Sequence, residues 1–362
     1  MKAAIFEAPR KLVFKEVEKP VPGDSDVLIK VKACGVCGTD VHTFEGEYID
    51  VKSPYPFIPG HEIAGEVEGV GSLVKDFRPG DKVAVDPIIP CNECEFCKAK
   101  KGNHCLNFGG IASTLPGGFA EYVVAPVKNV YKFENVSFGE AAFAEPLSCV
   151  LYGQQRAEIG FGDDVLIMGA GAIGLLHLQL ARRAGAARVV VSDLKPEKLA
   201  LAKRLGAYAA VMGRRVDGPG DADHPGWAGR ASNDQDSGTV DEDEIRGIAP
   251  LGYDVVIEAT GVPQVLQAAM GYLKPTGRLL VFGVYPHHSS ITVNPYEVYR
   301  RDIKIIGVFA ENRTVGPALK MIEHGLVETK SLIARTFPLE GLGEAISMLA
   351  RGEAGGKLQI IF

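Results

Sequence analysis

Four of the chain's seven cysteines are concentrated in one short stretch, CNECEFCKAKKGNHC. Their spacing is C-x2-C-x2-C-x7-C, and they are Cys91, Cys94, Cys97 and Cys105. Cysteines this close together can form disulfides, a redox relay, a catalytic metal site or a structural metal site. Four thiolates complete the tetrahedral coordination of Zn²⁺ and leave no position for a substrate. The spacing therefore predicts a structural zinc, for which the adjacent His104 is not needed as a ligand.

A second group of side chains, more dispersed along the chain, offers a different set of zinc ligands. Its members stand in CGVCGTDVH, PGHEIAG and FAEPLSC: Cys37, Thr39, His42, His61, Glu62 and Glu145. Taken singly, a free cysteine is often a core residue and a glutamate a solvated one. Together they include thiol, imidazole and carboxylate, which suit zinc, in too small a number to close its coordination sphere. An open position is what a catalytic zinc requires. Cys34 and Cys149 are left over and are predicted to be packed thiols.

The segment GAGAIG, residues 169–174, follows an apolar run and opens a helical pattern. Its glycines Gly169, Gly171 and Gly174 allow a tight turn and close approach of the backbone to a pyrophosphate, which the helix N-terminus attracts. Asp193, at the end of the next apolar run, is placed to bind ribose hydroxyls, and its charge would repel a 2′-phosphate. The pattern therefore favours NAD over NADP, although the nearby bases Lys195 and Lys198 could tolerate the phosphate. The alternative interpretation of GAGAIG is a tight strand-to-helix turn that binds no ligand.

Composition excludes several other classes of protein. The net charge of −6 and the pI of about 5.8 provide no basic surface for nucleic acid or for an anionic membrane. The first residues lack the features of a signal peptide, and no apolar run is long enough to span a bilayer. We therefore expect a cytoplasmic protein, in which clustered thiols bind metal or act in catalysis more often than they form disulfides.

A length of 362 residues predicts two domains. Residues 1–150 contain short β-branched runs separated by Gly and Pro, which indicate a mainly β domain. From residue 164 apolar runs alternate with helical patterns, which is typical of a doubly wound parallel sheet. We expect residues 151–289 to form this second domain and the tail, 290–362, to complete the first. Residues 213–250 are polar, contain Trp227, and are predicted to be a solvated insertion. Long loops of this kind are usually either functional or disordered.

In their order and approximate spacing these motifs resemble the zinc-dependent medium-chain alcohol dehydrogenase family, over essentially the whole chain. The resemblance implies an α/β protein with a GroES-like, mainly β catalytic domain and a Rossmann domain. Glu145 stands where the Cys2His version of the family has a second cysteine. That replacement is similar to the polyol dehydrogenase and threonine dehydrogenase branches.

The resemblance also implies roles for individual residues. Cys37, His61 and Glu62 would hold the catalytic zinc, with Glu145 as a fourth ligand or a partner through water. Thr39 and His42 would carry the substrate proton to solvent, by way of the nicotinamide ribose. The cofactor would contact residues in four segments: Gly169, Gly171, Ile173 and Gly174; Asp193 and Lys198; Gly283, Val284 and Tyr285; and Val308, Phe309 and Ala310.

The function implied is NAD-linked oxidation of a secondary hydroxyl of a polyol or sugar alcohol to a ketone. Zinc would lower the pKa of the hydroxyl, and NAD⁺ would accept hydride from the same carbon. Two zinc ions per chain and a homodimer or homotetramer are expected. Ala310 and Glu311 stand where sorbitol dehydrogenases have arginine and tyrosine, and Thr43 where they often have an aromatic residue, which argues against sorbitol itself. The alternatives are L-threonine 3-dehydrogenase and a catalytically silent nucleotide-binding relative.

Overall fold

The structure, a computed structural model, describes residues 1–47, 55–213, 242–285 and 288–362. It divides into two compact units, Met1–Cys149 with Ala310–Phe362, and Val150–Phe309. The chain leaves the first unit next to the predicted boundary at residue 150 but returns to it at Ala310 rather than at residue 290. None of the described helices combines the length and the apolar character needed to cross a bilayer.

The N-terminal part of the first unit is built from the short β-branched segments of the sequence. The runs DVLIKVKACGV and EIAGEVEGV form the long strands β3 (Asp26–Val36) and β4 (Glu62–Val70), which pair antiparallel. Their alternate apolar side chains, including Val27, Ile29 and Val67, lie in the core because successive residues of a strand face opposite sides. The other elements here are β1 (Lys2–Ala8), β2 (Lys11–Glu16), α1 (Gly38–Glu45), β5 (Lys82–Val85), β6 (Ile88–Ile89), α2 (Glu95–Lys98), β7 (Gly109–Gly110), β8 (Tyr122–Pro126), β9 (Val130–Lys132), α3 (Phe138–Ala141) and the first part of α4 (Ala144–Arg156), which ends in the second unit.

A six-stranded parallel sheet is the centre of the second unit. Its elements are β10 (Asp164–Met168), α5 (Ala172–Arg183), β11 (Arg188–Asp193), α6 (Pro196–Arg204), β12 (Ala209–Met212), α7 (Glu242–Ile248), β13 (Tyr253–Glu258), α8 (Pro263–Ala269), β14 (Leu273–Val281), α9 (Pro295–Arg300) and β15 (Lys304–Gly307). The strand order is β12-β11-β10-β13-β14-β15, which reverses direction between β10 and β13. Sheets of this order bind dinucleotides at the carboxyl ends of the strands, where the order reverses. The predicted Rossmann fold is therefore confirmed.

The C-terminal segment completes the first unit. It consists of α10 (Val315–Glu323), β16 (Ile333–Phe337), α11 (Leu342–Ala350) and β17 (Lys357–Ile361). β17 pairs antiparallel with β3, so the main sheet has the order β16-β17-β3-β4-β5-β9, with β8 also paired to β3. Leu342, Ala345 and Ile346 form an apolar stripe at helical spacing on α11 and are buried in the same core as β3.

Two predictions about the second unit are wrong. The chain was expected to leave this unit at residue 290, but β15 pairs with β14 as the sixth strand of the sheet. The polar segment 213–250 was expected to be a solvated insertion, but α7 lies at its C-terminal end and buries Ile245. α7 contains two apolar residues, Ile245 and Ile248, which are too few to give a periodic signal for a helix. Residues 214–241, including Trp227, lie outside the described residues.

The pairing of β3 with β4 leaves no room for a side chain at Gly65. A Cβ atom there would lie 2.4 Å from the carbonyl oxygen of Lys30 and 2.7 Å from Cγ2 of Ile29. Gly69, on the same strand, has no heavy atom within 4 Å of the equivalent position. The close approach at Gly65 therefore fixes the spacing of the two strands that carry the residues discussed below.

We predict that Gly65→Ala lowers the free energy of unfolding by about 1–3 kcal/mol, the usual cost of overpacking a core. Gly69→Ala adds the same methyl group to open space and is expected to leave the denaturation midpoint nearly unchanged. The midpoints of both variants are compared with that of the parent by far-ultraviolet circular dichroism in urea. Equal midpoints for the two variants would contradict the packing argument.

Candidate metal and cofactor sites

Cys37, His61 and Glu62 come together at one edge of the main sheet of the first unit. β3 ends one residue before Cys37, and β4 begins at Glu62, so antiparallel pairing brings these two strand ends to the same edge. One ligand atom from each of the three side chains lies within 4.8 Å of the others. A thiol, an imidazole and a carboxylate are a donor set that suits Zn²⁺, and three protein ligands leave one tetrahedral position open.

The predicted relay residues lie on the helix that begins directly after Cys37. Cys37 is the N-cap of α1, and its backbone N–H donates to Asp40 Oδ2 at 2.9 Å. Thr39 Oγ1 is 3.8 Å from Cys37 Sγ. His42 is three residues further along and therefore on a neighbouring position of the helix surface. Its Nδ1 lies 2.8 Å from Glu47 Oε2, which orients the ring.

Buried charges surround the three candidate ligands. Lys357 Nζ donates to Glu62 Oε1 at 2.5 Å, and the two side chains are only 7% and 1% exposed. Gly35, paired with Glu62 across the sheet, makes room for this carboxylate, because a Cβ there would be 1.8 Å from Glu62 Oε2. Asp40 Oδ1 is 3.9 Å from His61 Nδ1. Sequence reasoning missed Asp40 and Lys357; the capping position of Asp40 is a local signal, whereas Lys357 has none.

Glu145, on the first turn of α4, is buried but is not in the three-residue group. Burial raises the pKa of its carboxyl to about 7, with His61 opposing that effect. The thiol of Cys149, one helical turn later, points to Glu145 Oε1 at 3.8 Å. Cys149 is thus a neighbour of this carboxyl, while Cys34 is fully enclosed in the core. Whether Glu145 binds metal remains a prediction.

Cys91, Cys94, Cys97 and Cys105 form a second group of four thiols whose sulfurs lie within 4.8 Å of one another. The Cys91–Cys97 and Cys94–Cys105 sulfur distances are both 3.9 Å. Tetrahedral thiolates at about 2.3 Å from zinc are separated by roughly 3.8 Å, whereas a disulfide requires about 2.05 Å. The geometry therefore fits a closed zinc site, and the exposed His104 is not part of the group.

Backbone N–H groups prepare two of these thiols for metal binding. The N–H groups of Glu93 and Cys94 point to Cys91 Sγ at 3.5 and 3.4 Å. These bonds lower the pKa of Cys91 to about 6, and similar bonds lower the pKa of Cys94. Burial instead raises the pKa of Cys97 to about 12. Because thiolates are the species that bind zinc, a loop that stabilises them locally favours the metal.

Two further buried carboxyls in the first unit, Asp86 and Glu311, were not among the predicted site residues. Burial, followed by the nearby Glu311, raises the pKa of Asp86 to about 8. Glu311 is 1% exposed and accepts from the backbone N–H of Thr314 at 2.8 Å. The hydroxyl of Thr314 also donates to the carbonyl of Ser148 on α4, at 2.9 Å. Glu311, which stands where sorbitol dehydrogenases have a tyrosine, is thus held inside the first unit.

The glycine-rich loop of the second unit has the shape that a dinucleotide requires. Gly169 has φ of 106°, and a Cβ at Gly174 would lie 1.8 Å from the Gly169 carbonyl oxygen, so both positions exclude other residues. Gly171 is the N-cap of α5 and has open space around it, which fits the approach of a phosphate to the helix N-terminus. Ile173 lies in the first turn of the same helix.

Asp193 closes this loop from the neighbouring strand. Its Oδ2 accepts from the backbone N–H of Ala170 at 2.8 Å, and its Oδ1 from that of Lys195 at 3.0 Å. Lys198 Nζ is 3.7 Å from the same carboxylate. Asp193 and Lys198, both predicted from the sequence to contact the cofactor, therefore lie together next to the glycine-rich loop.

The remaining predicted cofactor residues follow β14 and β15, which are neighbours in the sheet. Val284 and Phe309 expose 56% and 42% of their surface. Tyr285 is different, because its hydroxyl donates to the buried carboxylate of Glu258. Ala310, predicted together with Val308 and Phe309, belongs to the first unit.

Comparisons with known proteins agree with this geometry. Residues 23–135 match the model of the alcohol dehydrogenase GroES-like domain, and residues 172–324 match that of the zinc-binding dehydrogenases. D-arabinitol dehydrogenase 1 of Uromyces fabae is 33% identical, with 97% of this chain and 94% of the relative covered. Sorbitol dehydrogenase of Bacillus subtilis (strain 168) is 32% identical, with 96% and 92% covered.

A solved structure of a zinc-binding dehydrogenase from Sinorhizobium meliloti 1021, bound to NADP, superimposes with a TM-score of 0.86. It is 33% identical and covers 100% of this chain and 99% of its own. The residues that match the two family models lie in both units and include Cys37, His61, Glu62 and the four cysteines of residues 91–105. The chain thus belongs to the zinc-dependent medium-chain alcohol dehydrogenase family, and it is an oxidoreductase acting on CH–OH donors.

Proposed function

We propose that the protein oxidises a secondary hydroxyl of a polyol or sugar alcohol to a ketone, with zinc at Cys37, His61 and Glu62 and with NAD as the hydride acceptor. The observation that carries the proposal is the convergence of these three donors at one sheet edge, within 4.8 Å of one another. The relatives named for D-arabinitol and sorbitol support a polyol as the substrate class.

The chain's own residues supply proton transfer and positioning. A bound zinc would polarise the substrate hydroxyl and lower its pKa, and a bound nicotinamide would supply the hydride acceptor. Thr39, whose hydroxyl lies 3.8 Å from the Cys37 sulfur, would accept the substrate proton while giving up its own, and His42 would release a proton to solvent. Glu47 holds the imidazole of His42 for that step. Glu145 is a fourth donor or a partner through water.

Cys91, Cys94, Cys97 and Cys105 hold a second, structural zinc, so that each chain contains two ions. Asp193 selects NAD, because a carboxylate that is already fixed by two backbone N–H groups repels a 2′-phosphate. The protein acts as a homodimer or homotetramer in the cytoplasm and binds neither nucleic acid nor membrane.

A panel of polyols, sugar alcohols and L-threonine, monitored by NADH absorbance, tests the substrate class. We expect turnover of at least one polyol and none by enzyme treated with a chelator. Turnover of threonine alone would make the protein an L-threonine 3-dehydrogenase. If no alcohol produces NADH while NADH still binds, the protein is a silent nucleotide-binding relative.

Two variants separate the proposed metal sites. His61→Ala is expected to retain one of two zinc ions and to lower kcat at least 100-fold, because only the group at the edge of the main sheet is disrupted. Cys94→Ser is expected to lower the melting temperature more than it lowers kcat, because its zinc has no open position. Zinc is counted by mass spectrometry of the purified proteins. A fully stable Cys94→Ser enzyme without turnover would show that the two sites have been confused.

Asp193→Asn tests the choice of cofactor. We expect the ratio of kcat/KM for NAD to that for NADP to fall at least tenfold, because the amide no longer repels the 2′-phosphate and Lys198 loses its counter-charge. Asp76→Asn, an exposed residue of the first unit, removes the same charge elsewhere and serves as the control. An unchanged ratio in Asp193→Asn would remove this residue from cofactor selection.

A further inference from the structure

Glu258 is the last residue of β13, and its side chain is completely buried. Fully buried carboxylates are rare unless they are paired. Among the described residues no cation lies within ion-pair distance of it, and its partners are neutral donors. The backbone N–H groups of Thr260 and Gly261 donate to it at 2.7 and 3.2 Å, and the hydroxyls of Thr260 and Tyr285 also donate.

These donors satisfy the carboxylate without a counter-ion. An ionised carboxylate has about four acceptor positions, and four donors are present here. Burial alone raises the pKa of Glu258, and the hydrogen bonds from Thr260 and Tyr285 oppose that rise. The arrangement is costly unless all donors stay in place, because an unsatisfied buried group loses its hydration without compensation.

The donors belong to the loops at the carboxyl edge of the sheet, where dinucleotides bind in folds of this order. The backbone N–H groups of Phe282 and Gly283, after β14, donate to the Glu258 carbonyl at 3.1 and 3.0 Å. A Cβ at Gly283 would lie 2.3 Å from the backbone nitrogen of Gly261 and 2.6 Å from Glu258 Oε2. The loops after β13 and β14 are therefore locked against each other around this carboxylate.

Thr260 connects the same carboxylate to the glycine-rich loop. Its methyl carbon would be 2.9 Å from a Cβ at Gly169, so the two residues are in close contact. Gly169 begins the turn that leads to the N-terminus of α5. Glu258 is thus bonded directly to the loops after β13 and β14, the second of which carries predicted cofactor residues, and it contacts the glycine-rich loop through the side chain of Thr260.

We propose that Glu258 is a positioning residue for the dinucleotide, with Tyr285 acting through it rather than on the cofactor directly. The inference rests on the proposed cofactor site in this unit. Glu258 orders the loops after β10, β13 and β14 before the dinucleotide binds. The free energy of binding is then not reduced by the entropic cost of ordering these loops.

Glu258→Gln tests the proposal because it changes hydrogen bonding and not size. The amide nitrogen is a donor, and it must face at least one of the donors that now point to the carboxylate. We expect the dissociation constant of NADH, measured by fluorescence titration, to rise about tenfold, equivalent to about 1.4 kcal/mol. KM for NAD should rise in parallel, while zinc content and KM for the alcohol stay unchanged. Glu244→Gln, exposed on α7 of the same unit, is the matched control.

Tyr285→Phe and the double variant identify the partner. Tyr285→Phe alone should weaken NADH binding by a smaller factor. If Tyr285 acts through Glu258, the double variant binds NADH no more weakly than Glu258→Gln alone. Strictly additive losses would assign Tyr285 a separate contact and overturn that half of the proposal.

Other outcomes distinguish this proposal from the proposed function. If the Glu258→Gln protein has a lower melting temperature but unchanged NADH affinity, Glu258 has only a structural role. If the variant keeps its NADH affinity but loses kcat, Glu258 acts in the chemistry. Either result overturns the proposal. A parent protein that binds NADH but oxidises no alcohol refutes the proposed function while the binding comparison still decides the role of Glu258. A parent that binds neither NADH nor NADPH overturns both.

Discussion

Glu62 and Lys357 form an ion pair that is almost entirely removed from water, although 295 residues separate them in the chain. Leaving one buried charge without its partner costs about 3–5 kcal/mol, so neither residue can be buried at this edge unless β17 lies beside β3. β17 reaches that place only because the chain returns to the first sheet after the second unit is complete. The interrupted order of the first unit thus serves the electrostatics of the candidate metal site as well as its core.

The two groups of metal ligands depend on this architecture to different degrees. In the four-cysteine loop, N–H groups two and three residues from Cys91 stabilise its thiolate, so the site is largely defined by its own loop. The group of Cys37, His61 and Glu62 depends on strand register, because Gly35 must face Glu62 to admit its carboxylate. A slip of one residue would turn Glu62 to the other face of the sheet. The four-cysteine group is therefore defined by local sequence, whereas the group of Cys37, His61 and Glu62 is formed only by the tertiary fold.

This difference also explains how much could be predicted from sequence. The run EIAGEVEGV has the same bounds as β4, and α5 begins within GAGAIG, because alternation and glycine positions are local signals. Lys357 stands in GKLQIIF, where only a strand is indicated, since its partner is far away in the chain. Glu258 and Tyr285 are likewise joined by adjacent strands and not by a motif. β15 and α7 were missed because they are only four and seven residues long, too short for a period to show.

Charge balance gives the two donor groups different chemical capacities. Lys357 balances the charge of Glu62, so this pair adds no net charge beside Cys37 and His61. A divalent ion at the proposed site would therefore keep an excess of positive charge, which would stabilise an anionic substrate oxygen and lower the pKa of a hydroxyl. Four thiolates around a divalent ion leave an excess of negative charge, which disfavours any further anion. In the proposed site Lys357 would therefore keep the carboxylate of Glu62 from neutralising the metal, and a residue outside the donor set would adjust the electrophilic strength of the site.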